Sequence, residues 1–282
     1  MTEPDPDRSA AARRAAELAL VRVCHHYGER PEFVLIGGLV PGLLCSDASA
    51  RHAGTSDVDV QVNLEIAGGS VNAARLERAL RNAEFSPDAE RMWRWKSSPA
   101  DGPVAVIKFE LLADLDTIPQ GETVVFDGSE QLGAANLRGT GFAAQDIQIH
   151  TLSANDHGTR LTVDVNVTGL PGFLLAKTAA AHGRHKPKDY YDIAFVLLHH
   201  NLEAERPAFR VLTRFGLPPS MRTPLLDLQA NFTDETSFGA EAYARQITQD
   251  HPEYDPGEVA TDAVLAVGEF TSTLLDSNQS TS

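Results

Sequence analysis

The chain has 282 residues, of which 42% are hydrophobic and 22% charged, and its formal net charge is −15 at pH 7. This length predicts about two domains, and the composition is that of a globular protein and excludes a largely disordered chain. Because phosphate contacts need clustered Lys and Arg, the acidic balance argues against a surface that grips nucleic acid all over, although a local basic groove stays possible.

The two cysteines and the absence of long apolar runs favour a cytoplasmic protein. Cys24 and Cys45 cannot form a disulfide framework, and both lie in apolar stretches. No apolar run approaches the roughly 18 residues of a membrane span, and the chain begins with acidic residues rather than a basic signal sequence. We therefore expect no membrane insertion and no secretion, with polar tails at 1–7 and 277–282.

The first part of the chain alternates between helix and strand patterns. Helical spacing of apolar residues predicts an amphipathic helix over 8–27 that ends near Gly28. A short apolar run at 33–36 predicts a strand, stopped by Gly37 and Gly38 and followed by a helix at 39–44. Further strands are predicted at 57–62, 104–112, 123–126, 146–150 and 161–167, and a helix at 70–83.

The pattern changes at Leu170, after which the apolar residues recur with helical period. The sequence therefore predicts an α+β domain over residues 1–168, including the first helix, and a helical domain over residues 169–282. Element boundaries are the least certain part of such a prediction, and this one is placed near Gly169.

Two aspartates follow the glycine pair and indicate a cation site. In the predicted strand at 57–62, Asp57 and Asp59 alternate with valines, so both carboxylates project from one face. Two such carboxylates suit a hard divalent cation such as Mg²⁺ or Mn²⁺. The turn at Gly37 and Gly38 offers backbone N–H groups to a phosphate. Asp-x-Asp alone is weak evidence, since it is also found on exposed strand faces; the order of the elements strengthens it.

The chain order of a strand, the glycine pair, a helix, the strand with Asp57 and Asp59, and a further strand with Glu110 resembles that of the nucleotidyltransferase superfamily. The matching residues are Gly37, Gly38, Asp57, Asp59 and Glu110. The resemblance implies a mixed sheet with flanking helices, a metal held by Asp57, Asp59 and Glu110, and a nucleotide held by the glycines and Ser56. The spacer from Gly38 to Asp57 is longer than in the shortest versions of the motif. Asp114, Asp116 and Asp164 compete with Glu110 for the third carboxylate.

The second half narrows the resemblance to the AbiEii-type toxin nucleotidyltransferases. Its segment LLAKTAAAHGRHKPKDYYDI is similar to their helical lysine, here Lys177, and to their arginine followed by an (Arg/Lys)-Asp-x-x-Asp segment, here Arg184 and then Lys188, Asp189 and Asp192. The resemblance implies catalytic roles for Lys177 and Asp192, and nucleotide contacts for Lys177, Arg184, Lys188 and Asp189. It spans roughly residues 33–198.

Structural explanations compete with each of these roles. A lysine amid apolar residues needs a partner, so Lys177 is expected to pair or to contact substrate, and Asp192 is expected to pair with Lys177 or Arg184. Asp189 is also placed to stabilise a helix start. The histidines, His52 among them, show no regular metal spacing and are interpreted as structural or surface residues. Trp93 and Trp95 are interpreted as packing residues.

The resemblance implies a bacterial toxin that moves a nucleotide from a nucleoside triphosphate to an acceptor, in some cases the end of a tRNA, beside a separate antitoxin. Two alternatives remain at this point. One is a nucleotide-sugar glycosyltransferase, in which Asp-x-Asp binds a metal and a diphosphate. The other is a degenerate fold that binds a nucleotide or a partner protein without turnover.

Overall fold

The computed structural model describes residues 9–62, 73–97, 106–126, 129, 131–200 and 206–277. Several sequence predictions therefore fall partly outside the described residues. These are the tail at 1–7, all but the first residue of the tail at 277–282, residue 8 of the first helix, residues 70–72 of the helix at 70–83, and residues 104–105 of the strand at 104–112.

The described elements alternate between helix and strand before a run of helices. The strands are β1 (Val34–Ile36), β2 (Asp57–Gln61), β3 (Ser86–Pro87), β4 (Arg94–Ser97), β5 (Ile107–Ala113), β6 (Thr123–Val125), β7 (Gly133–Asn136), β8 (Ile147–Asp156) and β9 (Thr159–Thr168). The α-helices are α1 (Ala10–Tyr27), α2 (Val40–Leu44), α3 (Ala73–Asn82), α4 (Gly141–Ala144), α5 (Leu170–Arg184), α6 (Pro187–His199), α7 (Pro207–Phe215), α8 (Arg222–Ala230), α9 (Phe238–Asp250) and α10 (Pro256–Asp276). The predicted mixed α/β fold with a helical C-terminal part is confirmed.

The described strands form one mixed sheet in the order β3-β4-β5-β2-β1-β9-β8, with β7 pairing with β5 and β6 with β7. β2 lies in the middle, antiparallel to β1 and parallel to β5. The strand that carries the two aspartates therefore has a neighbour on each side, which fixes its register and the direction of its side chains.

One face of this sheet is apolar. Val58 and Val60 of β2 and Phe109 and Leu111 of β5 are fully buried, and α1 packs along this sheet and against α3. Trp95 of β4 is also fully buried, as expected for a packing residue. Since successive side chains of a strand point to opposite faces, this burial directs the intervening polar residues of β2 and β5 to the other face.

The first helix has the ends that its sequence predicts. Ser9 caps its N-terminus by accepting the N–H of Ala12 at 3.1 Å, and Gly28 ends it in the left-handed conformation with φ of 86°.

Two local features differ from the sequence predictions. Gly37–Leu39 form a 3-10 turn, so α2 begins one residue after the start of the predicted helix at 39–44. β8 continues six residues beyond the predicted strand at 146–150 and joins β9 through His157 and Gly158, both with positive φ. None of the β8 residues is buried, and only Leu152 and Ala154 are apolar in its outer part, so the sequence signal of a strand is weak there.

The described contacts divide the chain into two compact units. The first unit contains residues 1–40 and 54–168, and the second contains residues 41–53 and 169–282. The second unit is helical, with α6 packed against α5, α9 and α10 and its core formed by residues such as Phe195 and Tyr243. The sequence assigns the segment 41–53 to the first domain, whereas its contacts group it with the helices. Within the described ranges, none of the helices has the length and apolar character needed to cross a membrane.

Candidate active site

The sheet places the predicted carboxylates side by side. In the registers of β2 with β5, Asp57 lies opposite Lys108 and Asp59 lies opposite Glu110. Residues directly opposite each other in neighbouring strands share a face, so Asp57, Asp59 and Glu110 all point away from the buried valines. The structure thus brings together three side chains that are up to 53 residues apart in sequence.

Basic side chains on the same face approach two of these carboxylates. Nζ of Lys108 lies 3.2 Å from Oδ1 of Asp57, and Arg94 of β4 donates from Nε to Oε1 of Glu110 at 2.7 Å. Burial, and to a smaller extent the negative charges of Asp59 and Asp57, raise the pKa of Glu110 to about 7, although the contact with Arg94 acts to lower it. A carboxyl whose pKa rises beside other carboxylates lies in an excess of negative charge, which a bound cation would relieve.

The first glycine of the pair makes room for Asp59. Gly37 has a φ of 77°, and a Cβ added to it would overlap with Oδ2 of Asp59. Any side chain at this position would be strained and would displace the carboxylate. Gly38 is less constrained, because its Cβ would lie 3.1 Å from the side chain of Thr55. The lack of a side chain at Gly37 therefore leaves room for the Asp59 carboxylate, in addition to the phosphate contact that the sequence predicts for the glycine pair.

Ser56 and Thr55 precede the acidic strand. The Thr55 hydroxyl accepts the N–H of Asp57 at 3.0 Å and so fixes the start of β2. The Ser56 hydroxyl is buried and has no hydrogen-bond partner within the described residues. A buried hydroxyl without a partner is uncommon, and the nucleotide contact of Ser56 stays a prediction.

The three competitors for the third carboxylate have other partners. Asp114 accepts the N–H groups of Gly139 and Gly141 at 2.9 and 3.0 Å and so shapes the turn before α4. Asp116 is fully exposed beside Arg138. Asp164 of β9 accepts the Thr151 hydroxyl at 2.7 Å across the hairpin. Only Glu110 among these four is in register with Asp59, so the geometry favours it.

A divalent cation fits this cluster by the chemistry of its donors. Hard cations prefer carboxylate oxygens, and Asp57, Asp59 and Glu110 supply them on one face of one sheet. As they stand, however, no three His, Cys, Asp or Glu side chains of the described ranges are grouped closely enough to hold a metal ion. The assignment of Asp57 and Asp59 as the main ligands, with Glu110, held by Arg94, as the third, therefore stays a prediction.

The second unit holds a separate charged cluster around Lys177 of α5. Its side chain is only 7% exposed, and its Nζ lies 2.6 Å from Oδ2 of Asp192 and 3.2 Å from Oδ1 of Asp189, both on α6. Burial lowers the pKa of Lys177, but the negative charges of Asp192 and Asp189 outweigh this and raise it above its ordinary value. Lys177 is therefore a permanently charged ammonium group, and its expected pairing with Asp192 is present.

Arg184 completes this cluster from the end of α5. Its Nε and Nη2 donate to the two oxygens of Asp189 at 2.7 and 2.8 Å, a bidentate geometry. Burial acts to raise the pKa of Asp189, but Lys177 and Arg184 outweigh it and hold the pKa below its ordinary value. Asp189 also lies in the first turn of α6, so it fulfils the structural role considered above as well. Lys188 lies half-buried in the same turn.

His52 is a part of this cluster that sequence reasoning missed. Its Nε2 lies 2.9 Å from Oδ1 of Asp192, and both side chains are almost completely buried. No short-range pattern indicates this contact, because the two residues are 140 positions apart. The apolar surroundings of Asp192 show only that it needs partners.

Trp93 lies in the turn before β4, and the Arg94 guanidinium is 4.8 Å from its ring centre.

One comparison with known proteins gives a match. A family model described as "Nucleotidyl transferase AbiEii toxin, Type IV TA system" matches residues 135–265. The matched range contains Lys177, Arg184, Asp189 and Asp192, whereas the glycine pair and the three carboxylates of the sheet lie before it. No curated protein and no solved structure matches the chain. The match to residues 135–265 confirms the resemblance to the AbiEii toxin nucleotidyltransferases that the sequence motifs indicate.

Proposed function

We propose that this chain is a metal-dependent nucleotidyltransferase that moves a nucleotide from a nucleoside triphosphate to an acceptor, as an AbiEii-like toxin. The observation that carries the proposal is the register of β2 and β5, which sets Asp57, Asp59 and Glu110 on one face. The family match to residues 135–265 supports nucleotidyl transfer as the reaction class.

In this proposal Asp57 and Asp59 hold Mg²⁺ or Mn²⁺, with Glu110 as the third ligand. When bound, such an ion supplies positive charge to the triphosphate oxygens. Gly37 keeps the Asp59 carboxylate in place, and Ser56 and the Gly37–Gly38 backbone contact phosphate. Glu110 would also help to activate the acceptor hydroxyl.

The cluster in the second unit supplies fixed positive charge. Lys177 and Arg184 are each paired with carboxylates, so each is held in one orientation, Lys177 buried and Arg184 partly exposed. Preorganised charges of this kind stabilise developing negative charge without reorganisation during the reaction. We propose that Lys177 and Arg184 contact anionic groups of the substrates, with Asp192 and Asp189 holding them, and that Lys188 assists.

RNA is the acceptor class that we propose, with the end of a tRNA as the first candidate, in the cytoplasm and beside a cognate antitoxin protein. The basic residues at the junction of α5 and α6 support an anionic acceptor, because Arg184, His185, Lys186 and Lys188 follow closely in a chain of net charge −15.

The decisive experiment uses the full chain with Mg²⁺ or Mn²⁺, each labelled nucleoside triphosphate and total RNA. We expect label on RNA and release of pyrophosphate, and loss of both with a chelator. Binding of a triphosphate without pyrophosphate release from any acceptor would favour the degenerate binding protein. Transfer from a nucleotide sugar would favour the glycosyltransferase.

A further inference from the structure

His52 occupies a position that its neighbours define closely. Its ring centre lies 5.0 Å from those of Tyr191 and Phe195, two successive aromatic residues on one side of α6. The N–H of the next residue, Ala53, donates to the Tyr191 hydroxyl at 2.9 Å. The backbone and the ring of this segment are thus both attached to α6, so the imidazole is held in one orientation.

The imidazole is bonded to a carboxylate that Lys177 also uses. Oδ1 of Asp192 faces Nε2 of His52 at 2.9 Å, and Oδ2 faces Nζ of Lys177 at 2.6 Å. Because a carboxylate only accepts, Nε2 carries a hydrogen in this arrangement, whether the ring is neutral or charged. Both oxygens of Asp192 are therefore held, which prevents rotation of the carboxylate.

The orientation of Asp192 determines where Lys177 directs its charge. An ammonium group has three N–H donors, and Asp192 and Asp189 accept two of them. The third has no acceptor among the residues that the structure describes, and the side chain retains 7% exposure. The direction of this third donor follows from the positions of the two carboxylates.

We propose that His52 is a positioning residue: it holds Asp192 so that Lys177 presents its third N–H to an anionic substrate group in a fixed direction. The inference rests on the function proposed above. It also gives a use to the long spacer between Gly38 and Asp57, because residues 41–53 of this spacer group with the helices and deliver His52 to α6.

Two substitutions separate the hydrogen bond from the packing. His52→Phe keeps an aromatic ring between Tyr191 and Phe195 but removes the donor, whereas His52→Gln keeps an N–H donor and removes the ring. We expect His52→Phe to lower kcat for nucleotide transfer about 10- to 100-fold, the usual effect of losing a residue that orients a functional group, with KM for the triphosphate little changed. His52→Gln retains most of the activity. A fully active His52→Phe, or a His52→Gln that is the weaker of the two, would overturn the inference.

His199→Phe is the matched control. His199 is a neighbouring histidine of α6 whose Nε2 lies 2.9 Å from the Tyr243 hydroxyl and whose ring packs on Phe195 at 4.5 Å. This variant also removes a histidine hydrogen bond in the same unit, and we expect nearly unchanged kcat. A loss of kcat as large as that of His52→Phe would show a general packing effect and overturn the inference.

A double-mutant cycle gives a readout that needs no activity. The unfolding free energy of His52→Phe is measured in the native background and in Asp192→Asn. Because the two side chains interact directly, we expect their effects to be non-additive, and additive effects would contradict the contact. Absence of nucleotide transfer by the unmodified protein would overturn the proposed function and the positioning role together, whereas an active protein with an unaffected His52→Phe variant would overturn the positioning role alone.

Discussion

The carboxylates of the sheet and those of the helical unit lie in opposite electrostatic settings. On the sheet, burial and the charges of Asp59 and Asp57 raise the pKa of Glu110 to about 7, despite its ion pair with Arg94. In the helical unit, Lys177 and Arg184 hold the pKa of Asp189 below its ordinary value. The first cluster retains an excess of negative charge that a cation would stabilise. The second is neutralised by its own residues and depends on them for stability.

This difference separates two ways in which ionisable groups are kept inside a protein. Carboxylates without sufficient partners raise one another's pKa and lower the stability of the fold, which is typical of sites that bind a ligand. Buried pairs are stable as pairs but are costly to break, since removal of one partner leaves a buried charge. Neutralising a charged residue should therefore change activity and stability differently in the two units.

The largest expected effect is on activity, from neutralising the aspartates of β2. Asp57→Asn and Asp59→Asn should each lower the rate of nucleotide transfer by about 1,000-fold, in the upper range for removal of one preorganised electrostatic group. Stability should be kept or increased because like charges are removed. Rates are measured with labelled triphosphate and RNA, and melting temperatures by calorimetry.

Asp88→Asn is the control for these variants. Asp88 lies 2.6 Å from Lys96, so it also forms a carboxylate–lysine pair beside the same sheet. We expect unchanged transfer in this variant. Wild-type activity in Asp57→Asn or Asp59→Asn would remove the proposed metal role.

The largest effect on stability should follow removal of Lys177. Lys177→Met leaves Asp189 and Asp192 buried beside an apolar side chain, and breaking a buried pair costs about 3–5 kcal/mol of unfolding free energy. Lys108→Met removes the partner of Asp57 at a more exposed position, with 26% of the lysine side chain accessible, and should cost less than about 1 kcal/mol. Urea unfolding at pH 7 measures both, and equal losses would contradict the distinction between the two clusters.

A pH dependence should come from Glu110 in the presence of a chelator. Because the native pKa of about 7 is above the ordinary value of 4.5, the native state binds this proton more tightly than the unfolded state. The stabilising contribution is complete below about pH 4.5 and is lost as the pH rises through about 7. Relative to Glu110→Gln, the natural protein should therefore lose roughly 3 kcal/mol of stability over this range.

Asp189 provides the opposite case in the same measurement. Its native pKa is lowered, so its stabilising contribution is complete above the ordinary value of 3.8 and is lost as the pH falls through the lower native pKa. Relative to Asp189→Asn, the natural protein should therefore be more stable at neutral pH and lose this advantage in acid. A common sign for the two variants would contradict the assignment.

A more local effect is expected at the backbone beside Asp59. Gly37→Ala and Gly121→Ala both place a side chain at positive φ, 77° and 87°; this should cost about 1 kcal/mol at Gly121 and more at Gly37, where the Cβ would also overlap with Asp59. Only Gly37→Ala should also reduce nucleotide transfer, because its Cβ would displace the Asp59 carboxylate, whereas the Cβ at Gly121 would meet no atom within 4 Å. Equal activity in the two variants would show that Gly37 serves the turn alone.

Much of the fold was predictable from local patterns. Apolar periodicity predicted α1, β2, β5 and the helices after Leu170, because burial of one face imposes a period of 3.6 or 2 on the sequence. The missed elements are β3, β4, β7 and α4, which are short, and the outer part of β8, which has few apolar residues and none that is buried.

The candidate site was predictable in its residue types and less so in its contacts. Alternation along β2 was sufficient to place Asp57 and Asp59 on one face, and the family pattern singled out Lys177, Asp189 and Asp192. The contact between His52 and Asp192, the overlap between a Gly37 side chain and Asp59, and the other partners of Asp114 and Asp164 depend on residues far apart in sequence.

The sequence by itself therefore determined the long helices, most of the strands, the shared direction of Asp57 and Asp59, and the need of Lys177 for a partner. These follow from periodicity and from the cost of burying a charge, which act within a short stretch of chain. The tertiary structure alone decided that Glu110 stands opposite Asp59 and that His52 reaches Asp192. Strand register and helix packing bring distant segments together by the fit of whole surfaces, and no short stretch of sequence contains that information.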